Sequence, residues 1–268
     1  MTQHHPKPIL LTGASGKLGR MLAKALSAHG WRLRLTDISP FPDPLPAGAA
    51  FTRADLEDGV TIGRLAEGCS TILHFGGVST EHPFEDIIGP NIRGLYHIYE
   101  AARREQARVI FASSNHSIGF YERTETITPA EPFRPDGFYG LSKAYGELIG
   151  RLYWDKHGVE SIFVRIGSAY PEPIDARMLA TWLSYDDLTA MMTRCVLAEQ
   201  VGCNVIWGAS DNKRMTWWQG DARDTIGWAP KDSADPFTGQ MAGKVSGNPV
   251  AEKYMGGAFC AVEYSRQL

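Results

Sequence analysis

Three glycines near the start of the chain constrain its fold more than any other feature. Gly13, Gly16 and Gly19 follow the short apolar run at residues 8–11 in a G-x-x-G-x-x-G spacing. Apolar residues then recur at helical spacing, which predicts a strand, a tight turn and a helix. In such a unit the first two glycines let the backbone turn sharply and approach a ligand, and the last lets the helix pack closely on the strand.

The predicted turn and helix start form a candidate cradle for a pyrophosphate. Backbone N–H groups at the start of a helix point outward, and the helix dipole favours negative charge there. Lys17 and Leu18 open this helix and join the glycines as candidate cofactor-binding residues. Ordinary turns also carry such glycines, and the position directly after the first strand favours the cofactor interpretation.

An acidic residue after the second strand predicts which dinucleotide binds. Asp37 follows the strand predicted at residues 32–36 and lies 18 positions after Gly19. A carboxylate there accepts hydrogen bonds from the adenosine ribose and repels a 2′-phosphate, which favours NAD over NADP. Arg34 is the one nearby residue that weakens this preference. The alternative is that Asp37 caps the turn that follows it.

A second acidic residue is a weaker candidate. Asp55 and Leu56 follow a short strand predicted at residues 50–53. In a dinucleotide site the carboxylate would reach the adenine amino group, and Leu56 would cover the ring. Asp55 as a plain loop residue is an equally good interpretation.

The candidate catalytic residues are a tyrosine, a lysine and a serine. Tyr139 and Lys143 stand four positions apart in the helix predicted at residues 138–156, so their side chains share one face. Free tyrosine has a pKa of about 10, and we expect the lysine ammonium to lower it toward the range of a useful base. Ser114 comes just past the strand predicted at residues 109–113, at the edge where ligands bind in open α/β sheets. The alternative is an ordinary surface pair of tyrosine and lysine.

Predicted strands alternate with predicted helices through the first two thirds of the chain. This indicates a Rossmann-type doubly wound α/β fold, with a parallel sheet and helices on both faces. The alternation ends at residue 166, beyond which prolines and tryptophans are frequent. We expect residues 1–166 to form an NAD-binding core and residues 167–268 a small substrate lobe of the same compact unit. The residues expected to face inward from the helix at 91–106 are Ile92, Leu95, Tyr96, Tyr99 and Ala102.

Composition argues against several classes of function. A net charge of −3 and a pI near 6.2 give no basic surface for nucleic acid. The sequence has no apolar run of roughly 18 residues, and its polar start lacks the apolar stretch of a signal peptide. A cytoplasmic protein without membrane contact is therefore expected. The scattered cysteines form no C-x-x-C pair, which disfavours a metal site and is typical of buried reduced thiols.

Longer strings in the chain resemble the extended branch of the short-chain dehydrogenase/reductase superfamily. They are TGASGKLG, HFGG, FASSNHSIG, YGLSK and VRIGS, together with Asn91 at the start of a helix. Within that superfamily the strings FASSNHSIGFY, RPDGFYGLSK, VRIGSAYPEP and RMLATWLSYDDL resemble the uronate dehydrogenases. The resemblance covers nearly the whole chain and implies a seven-stranded Rossmann sheet.

The resemblance implies NAD-dependent oxidation of a hexuronic acid, galacturonate or glucuronate, at C1 to an aldaric acid lactone. It implies that Lys143 holds the cofactor ribose, and it places Gly76 and Asn91 at the cofactor site. Arg177 is expected to bind the substrate carboxylate, because a guanidinium pairs two oxygens in a fixed fork. A homo-oligomer built partly on the helices of Asn91 and Tyr139 is also implied. The implied substrate-binding residues are Ser79, Ser114, Asn115, His116, Tyr139, Ser168 and Arg177.

Alternatives remain open at several positions and for the whole chain. Arg177 as a solvated loop residue, His116 as a packing residue and Asn91 as a helix cap need no ligand. Ser184 and Asp187 predict a capping box, and the tryptophans are predicted to pack in the core. A nucleotide-sugar epimerase or dehydratase uses the same tyrosine, lysine and serine, although the short C-terminal segment argues against it. A non-catalytic NAD-binding module is disfavoured by the catalytic pair.

Overall fold

The computed structural model describes residues 7–267, in which strands and helices alternate as predicted. The strands of this part are β1 (Ile9–Thr12), β2 (Leu33–Asp37), β3 (Ala49–Arg53), β4 (Thr71–His74), β5 (Arg108–Ser114), β6 (Ser161–Ile166), β7 (Ser168–Ala169), β8 (Trp182–Leu183) and β9 (Cys203–Gly208). The α-helices are α1 (Lys17–Ala28), α2 (Gly59–Ala66), α3 (Phe84–Ile87), α4 (Gly94–Glu105), α5 (Phe138–His157), α6 (Met178–Thr181), α7 (Tyr185–Leu197), α8 (Thr238–Met241), α9 (Pro249–Lys253) and α10 (Ala258–Ala261). A π-helix at Ile88–Arg93 joins α3 to α4.

Seven strands form one sheet in the order β3-β2-β1-β4-β5-β6-β9, and each neighbouring pair is parallel. The order changes direction between β1 and β4, so the carboxyl ends of these strands open the crevice where ligands bind in such sheets. The predicted seven-stranded Rossmann fold is confirmed. The last strand, β9, comes from the C-terminal part of the chain and extends the same sheet beyond β6.

Helices cover both faces of the sheet. On one face α1 and α7 contribute Leu22, Leu26 and Met191 to a buried core. On the other face α2, α4 and α5 pack over a second core that includes Leu95 and Tyr99. All the residues of β1 are buried because the sheet is covered on both sides. The crevice between the layers is thus held on a rigid frame.

One predicted helix differs from the structure. Helical backbone begins at Phe84 and runs through the π-helix into α4, so Asn91 lies inside the run rather than at its start. The interpretation of Asn91 as a helix cap is therefore wrong. Tyr96, expected to face inward, is 46% exposed, whereas Leu95 and Tyr99 are buried. A buried helical face repeats every three to four residues, and Tyr96 falls beside that face instead of on it.

The C-terminal part of the chain packs its aromatic residues inward. The tryptophans that were predicted to be core residues are buried, and Trp207 stacks on Trp218 with ring centroids 5.0 Å apart. Ser184 caps α7, because its Oγ accepts a hydrogen bond from the Asp187 amide at 2.9 Å. The reciprocal half of the predicted capping box is not made, since the Ser184 amide donates to Ser210 Oγ instead.

The four cysteines are buried free thiols, as expected from their spacing. None of the helices between residues 7 and 267 combines the length and the apolar character needed to span a bilayer.

Candidate active site

The turn after β1 needs glycine for two separate reasons. Gly13 has a φ of +69°, and a Cβ at this position would come within 2.4 Å of the Phe75 carbonyl oxygen. A Cβ on Gly19 would come within 2.0 Å of the Gly13 carbonyl oxygen. Gly13 therefore makes the turn, and Gly19 lets α1 lie directly against it, as predicted from the spacing.

The start of α1 leaves backbone donors available to a ligand. Gly16 is the exposed N-cap residue, and among the described residues no side chain caps this end of the helix. The first turn of α1 carries no acidic residue, so its unpaired amides and the helix dipole present a positive potential. Lys17 is exposed and Leu18 is partly buried beside it. This set of donors fits a pyrophosphate.

Asp37 is fixed beside the glycine turn by two backbone amides. Its Oδ2 accepts a hydrogen bond from the Ser15 amide at 3.0 Å, and its Oδ1 accepts one from the Ser39 amide at 3.0 Å. The carboxylate thus organises the turn that follows it and also lies at the ribose position predicted for an NAD site. Arg34 is not at this position, because its Nη1 donates to the Leu65 carbonyl at 2.9 Å, at the end of α2. The expectation that Arg34 weakens the preference for NAD is therefore corrected, since residues three apart on a strand point to opposite faces.

The candidates for the adenine end are less constrained. Asp55 is exposed, and its Oδ1 accepts a hydrogen bond from the Glu57 amide at 2.9 Å, which suits a loop residue as well as a ligand contact. Leu56 is partly buried, and a Cβ on Gly76 would come within 3.0 Å of its Cδ1. The Gly76 amide donates to Thr12 Oγ1 at 3.1 Å. Glycine at 76 thus lets Leu56 approach the carboxyl end of β1.

The three candidate catalytic side chains meet at the carboxyl end of β5. Ser114 is the last residue of this strand rather than the residue after it, and its hydroxyl lies near enough to the Tyr139 phenol to lower that group's pKa. Lys143 Nζ donates to the Ala112 carbonyl at 2.8 Å and lies 5.4 Å from the centre of the Tyr139 ring. The structure therefore brings Ser114, which lies 25 positions before Tyr139 in the sequence, to the same place as Tyr139 and Lys143, which are four positions apart.

Burial dominates the acid–base properties of this pair. Burial raises the pKa of Tyr139 to about 12. The Ser114 hydroxyl lowers this pKa, and the charge of Asp136 raises it further. Burial also lowers the pKa of Lys143 to about 8. The pKa of Tyr139 is thus raised, where the sequence predicted that the lysine would lower it, because desolvation of the buried phenolate is the largest effect.

His116 is held by a buried carboxylate and an aromatic ring. Its Nδ1 lies 2.6 Å from Asp136 Oδ2, and the Asp136 side chain is fully buried. The imidazole stacks on Phe259 at 3.9 Å between ring centroids and contacts the Tyr139 ring edge-on at 5.7 Å. With Nδ1 bonded to Asp136, Nε2 is the nitrogen left to contact a substrate. His116 is therefore both packed and oriented beside the candidate catalytic tyrosine.

Arg177 is partly buried and extends its guanidinium toward Asn115 and Ser168. Nε donates to the Met255 carbonyl at 2.7 Å, Nη1 to Ser168 Oγ at 3.4 Å and Nη2 to the Asn115 amide oxygen at 2.7 Å. These bonds use three of the five donors of the guanidinium, which leaves one N–H on each terminal nitrogen. Burial lowers the pKa of Arg177 to about 10, so it remains charged at neutral pH. The solvated-loop alternative does not describe this residue.

Asn91 ties the loop after β4 to the catalytic helix. Its Oδ1 accepts from the Val78 amide at 2.8 Å, and its Nδ2 donates to the Val78 carbonyl at 2.9 Å and to Ser142 Oγ at 2.9 Å. Ser142 in turn donates to the Tyr139 carbonyl at 2.7 Å. Ser79, the next residue of the loop, is exposed. The structure thus places Ser79 on a held loop but not in the cluster formed by the other substrate-site candidates.

Several residues of the site were not predicted from the sequence. Asp136 and Phe259 flank His116, and the buried Glu147 and Arg165 form an ion pair at 2.8 Å. Glu147 lies one helical turn after Lys143, and Arg165 interrupts an otherwise apolar strand, so both carried a signal of a buried pair. Phe259 carried none, because its contact with His116 spans more than half of the chain.

Comparison with known proteins places the chain in a family. Residues 9–214 match the NAD dependent epimerase/dehydratase family. The chain is 46% identical to uronate dehydrogenase from Pseudomonas putida over 256 residues, which is 94% of each protein. It is 47% identical to uronate dehydrogenase from Pseudomonas syringae pv. tomato over 260 residues, 94% of this chain and 93% of that enzyme. The chain belongs to the uronate dehydrogenases of this family.

A solved structure agrees with that placement. Uronate dehydrogenase from Agrobacterium tumefaciens, in a mutant complexed with NAD, superposes with a TM-score of 0.90 at 43% identity, covering 95% of this chain and 97% of that one. The nucleotide-sugar epimerase alternative has support only at the level of the broad family description. The family resemblance predicted from the sequence is confirmed.

Proposed function

We propose that this protein oxidises a hexuronic acid, in its ring form, at C1 to an aldaric acid lactone. It is an NAD-dependent oxidoreductase, and the predicted cofactor is confirmed. The observation that carries the substrate assignment is Arg177, a charged guanidinium with two N–H groups to spare, placed beside Asn115 and Ser168 in the pocket of the catalytic tyrosine. A neutral sugar would leave that charge unmatched, whereas the carboxylate of a uronic acid pairs with it.

The roles of the other substrate-site residues follow from their positions. Tyr139 takes the proton of the C1 hydroxyl, and Ser114, whose hydroxyl lies beside the phenol, holds the oxygen that loses it. His116 Nε2 and Ser168 Oγ supply hydrogen bonds for ring hydroxyls. Ser79 is assigned to the substrate on the family resemblance alone, and it would reach the sugar from the loop after β4. Each of these groups is placed by hydrogen bonds or stacking that exist without the sugar, except Ser79.

The cofactor is assigned to the crevice at the carboxyl ends of β1, β2 and β4. NAD, when bound, supplies the hydride acceptor. The unpaired amides at the start of α1 hold the pyrophosphate, with Lys17 and Leu18 alongside. Asp37 holds the adenosine ribose, and Asp55 and Leu56 lie at the adenine end. Gly76, Asn91 and Lys143 would complete the nicotinamide end, and the Lys143 ammonium would hold the second ribose.

The two parts of the chain bind different ligands in this proposal. Residues 1–166 bind the cofactor, and residues 167–268 bring Arg177, Ser168 and Phe259 to the substrate. A cytoplasmic location is proposed as well. It is supported by the four buried free thiols, which are typical of proteins in a reducing compartment.

We also assign a second copy of the chain to the outer face of α5. Leu141, Leu148 and Leu152 lie on one stripe of this helix and are 48, 58 and 51% exposed, and Phe138 packs edge-on against Phe84 at its start. A stripe at this spacing suits helix-to-helix packing between identical subunits. Size-exclusion chromatography with light scattering tests the assignment. Replacement of Leu148 by Glu should shift the mass toward the monomer, and an unchanged mass would contradict this interface.

The decisive test of function is spectrophotometric. The purified protein is mixed with NAD or NADP and with galacturonate, glucuronate, the matching neutral aldoses or a UDP-sugar. We expect NADH absorbance to rise with a uronate and NAD, with much weaker signals from the neutral aldoses and from NADP. No rise with either uronate would remove the proposed activity, and turnover of the UDP-sugar alone would favour an epimerase-type enzyme.

A further inference from the structure

The amino end of the catalytic helix is capped by a residue from far away in the sequence. Glu81 Oε1 accepts a hydrogen bond from the Phe138 amide at 2.8 Å, and Glu81 Oε2 accepts one from the Tyr139 amide at 2.9 Å. The N-cap residue of this helix, Gly137, has no side chain and makes no side-chain cap. A carboxylate at a helix start satisfies unpaired amides and interacts favourably with the helix dipole.

Gly137 makes room for this carboxylate. A Cβ at this position would come within 2.2 Å of Glu81 Oε2 and 2.4 Å of Glu81 Cδ. Its φ of −176° and ψ of −174° are extended backbone that any residue adopts, so the space and not the backbone angle requires glycine. The helix start and the distant carboxylate are therefore fitted to each other.

Glu81 belongs to the loop at residues 75–83, between β4 and α3, which also carries Ser79. At its first half this loop is held by Asn91, which bonds both the amide and the carbonyl of Val78 and reaches Ser142. At its second half it is held by the two bonds from Glu81 to the start of α5. Both attachments end on the helix of Tyr139 and Lys143. The loop and the helix are thus joined at two separate points.

We propose that Glu81 is a positioning residue for the dehydrogenase reaction, which seats the amino end of the catalytic helix and holds the Ser79 loop against it. Glu81 is not a catalytic residue, since its carboxylate is bonded to backbone amides. It sets where the Tyr139 phenol lies relative to Ser114, and it sets where Ser79 meets the substrate. This inference rests on the proposed function, because it concerns the positioning of residues for that reaction.

The two effects of Glu81 are separable by a second-site variant. In Glu81→Ala the helix cap and the loop attachment are both lost. In the double variant Glu81→Ala with Gly137→Ser, the new hydroxyl caps the helix locally, as serine does at N-cap positions. The added Cβ no longer meets the carboxylate that excluded it. The double variant therefore restores the cap but leaves the loop detached.

Steady-state kinetics with NAD and a uronate provide the first readout. We expect Glu81→Ala to lower kcat by about tenfold, equivalent to about 1.4 kcal/mol in activation free energy, and to raise the KM for the uronate several-fold. The KM for NAD should stay within about twofold, because the glycine turn is not touched. In the double variant kcat should return to within about threefold of the wild type, while the KM for the uronate stays raised. Glu85→Ala is the matched control, since Glu85 is an exposed carboxylate on the adjoining α3, and it should change neither constant.

Amide hydrogen exchange at residues 138 and 139 provides a second readout that needs no activity. Exchange should be faster in Glu81→Ala and return to wild-type rates in the double variant. If Glu81→Ala does not fold, Glu81→Gln, which keeps one acceptor oxygen, is measured as a single variant, because its side chain would still collide with a serine at 137. The proposal is overturned if kcat and the uronate KM are unchanged in the Glu81 variant, or if Gly137→Ser rescues neither kcat nor the exchange rates. A wild-type protein that oxidises no uronate would end the proposed function instead, and the exchange rates would still decide whether Glu81 caps the helix.

Discussion

The glycine turn after β1 and the pocket around Tyr139 lie at the same edge of one sheet, but they are assembled differently. Gly13, Gly16 and Gly19 come from one short segment and act through backbone amides at an exposed helix start. The pocket takes Ser114 from β5, Tyr139 from α5, Arg177 from before α6 and Phe259 from α10. The first region is a local motif, and the second exists only when distant segments are packed together.

The two regions also differ in how deeply their charged groups are buried. At the glycine turn Lys17 is exposed, and Asp37 is bonded to two amides at the surface of the crevice. In the pocket the charges of Lys143 and Asp136 are buried, and Arg177 is largely enclosed by its partners. Buried groups have shifted pKa values and are sensitive to the loss of a partner. Variants in the pocket should therefore have larger and more pH-dependent effects than variants at the turn.

The largest effect is expected at Tyr139. Tyr139→Phe should lower turnover at least ~10²-fold, since general base catalysis is typically worth 10²- to 10⁴-fold, and leave the affinity for NAD within about twofold of wild type. Steady-state rates with a uronate measure the loss of turnover. Activity within a few-fold of wild type in Tyr139→Phe would show that another group is the base.

The activity of the wild type should also depend on pH. Its kcat/KM should rise with pH across the neutral range, because the pKa of Tyr139 is raised to about 12 and the phenolate fraction grows toward that value. Rates measured with a uronate at several pH values test this dependence.

Lys143 should make stability depend on pH. Its pKa falls from the ordinary value of 10.5 to about 8 on folding, so between these values the unfolded chain binds more protons and stability rises with pH. Relative to Lys143→Met, the wild type should gain on the order of 3 kcal/mol in free energy of unfolding between pH 8 and 10.5. Urea titrations at several pH values measure this difference. Lys24→Met, at an exposed position of α1, is the control and should show no such gain; an equal gain in both would contradict the burial argument.

Arg177 should affect substrates according to their charge. Arg177→Ala should raise the KM for uronates at least ~10-fold more than the KM for the matching neutral aldoses, because hydrogen bonds to charged groups are worth about 1.5–3 kcal/mol. Arg177→Lys keeps the charge but not the forked geometry of the guanidinium, so its KM for a uronate should lie between those of the wild type and Arg177→Ala. Paired KM measurements on a uronate and its aldose provide the test. Equal effects on both sugars would mean that Arg177 does not bind the substrate carboxylate.

The smallest effect is expected at the glycine turn. Asp37→Ala should raise the KM for NAD several-fold and improve the use of NADP, since a carboxylate at the ribose repels a 2′-phosphate. The ratio of kcat/KM with the two cofactors measures the change. Asp55→Ala should change this ratio less, because Asp55 lies beyond the ribose. A larger effect at Asp55 would reverse the assignment of the two carboxylates.

Much of the fold was predictable because it depends on local patterns. Apolar runs such as residues 161–166 and amphipathic stretches such as α5 gave strands and helices close to their observed bounds. Asn91 was placed wrongly because a π-helix continues from α3 into α4 and no local cap signal reveals it. Tyr96 was placed wrongly because it lies beside the buried face of α4. The candidate site divides in the same way: the glycine turn and the spacing of Tyr139 and Lys143 are sequence features, whereas Asp136, Phe259 and Glu81 are not.

The sequence by itself determined the alternation of strands and helices, the glycine turn after β1 and the shared helical face of Tyr139 and Lys143, because each depends on residues that are close together in the chain. Only the tertiary structure decided the direction of the Tyr139 pKa, the donors that Arg177 keeps available and the capping of α5 by Glu81. Those properties depend on which groups are removed from water together and which distant atoms come within hydrogen-bond distance. Neither quantity is a property of a short segment of chain.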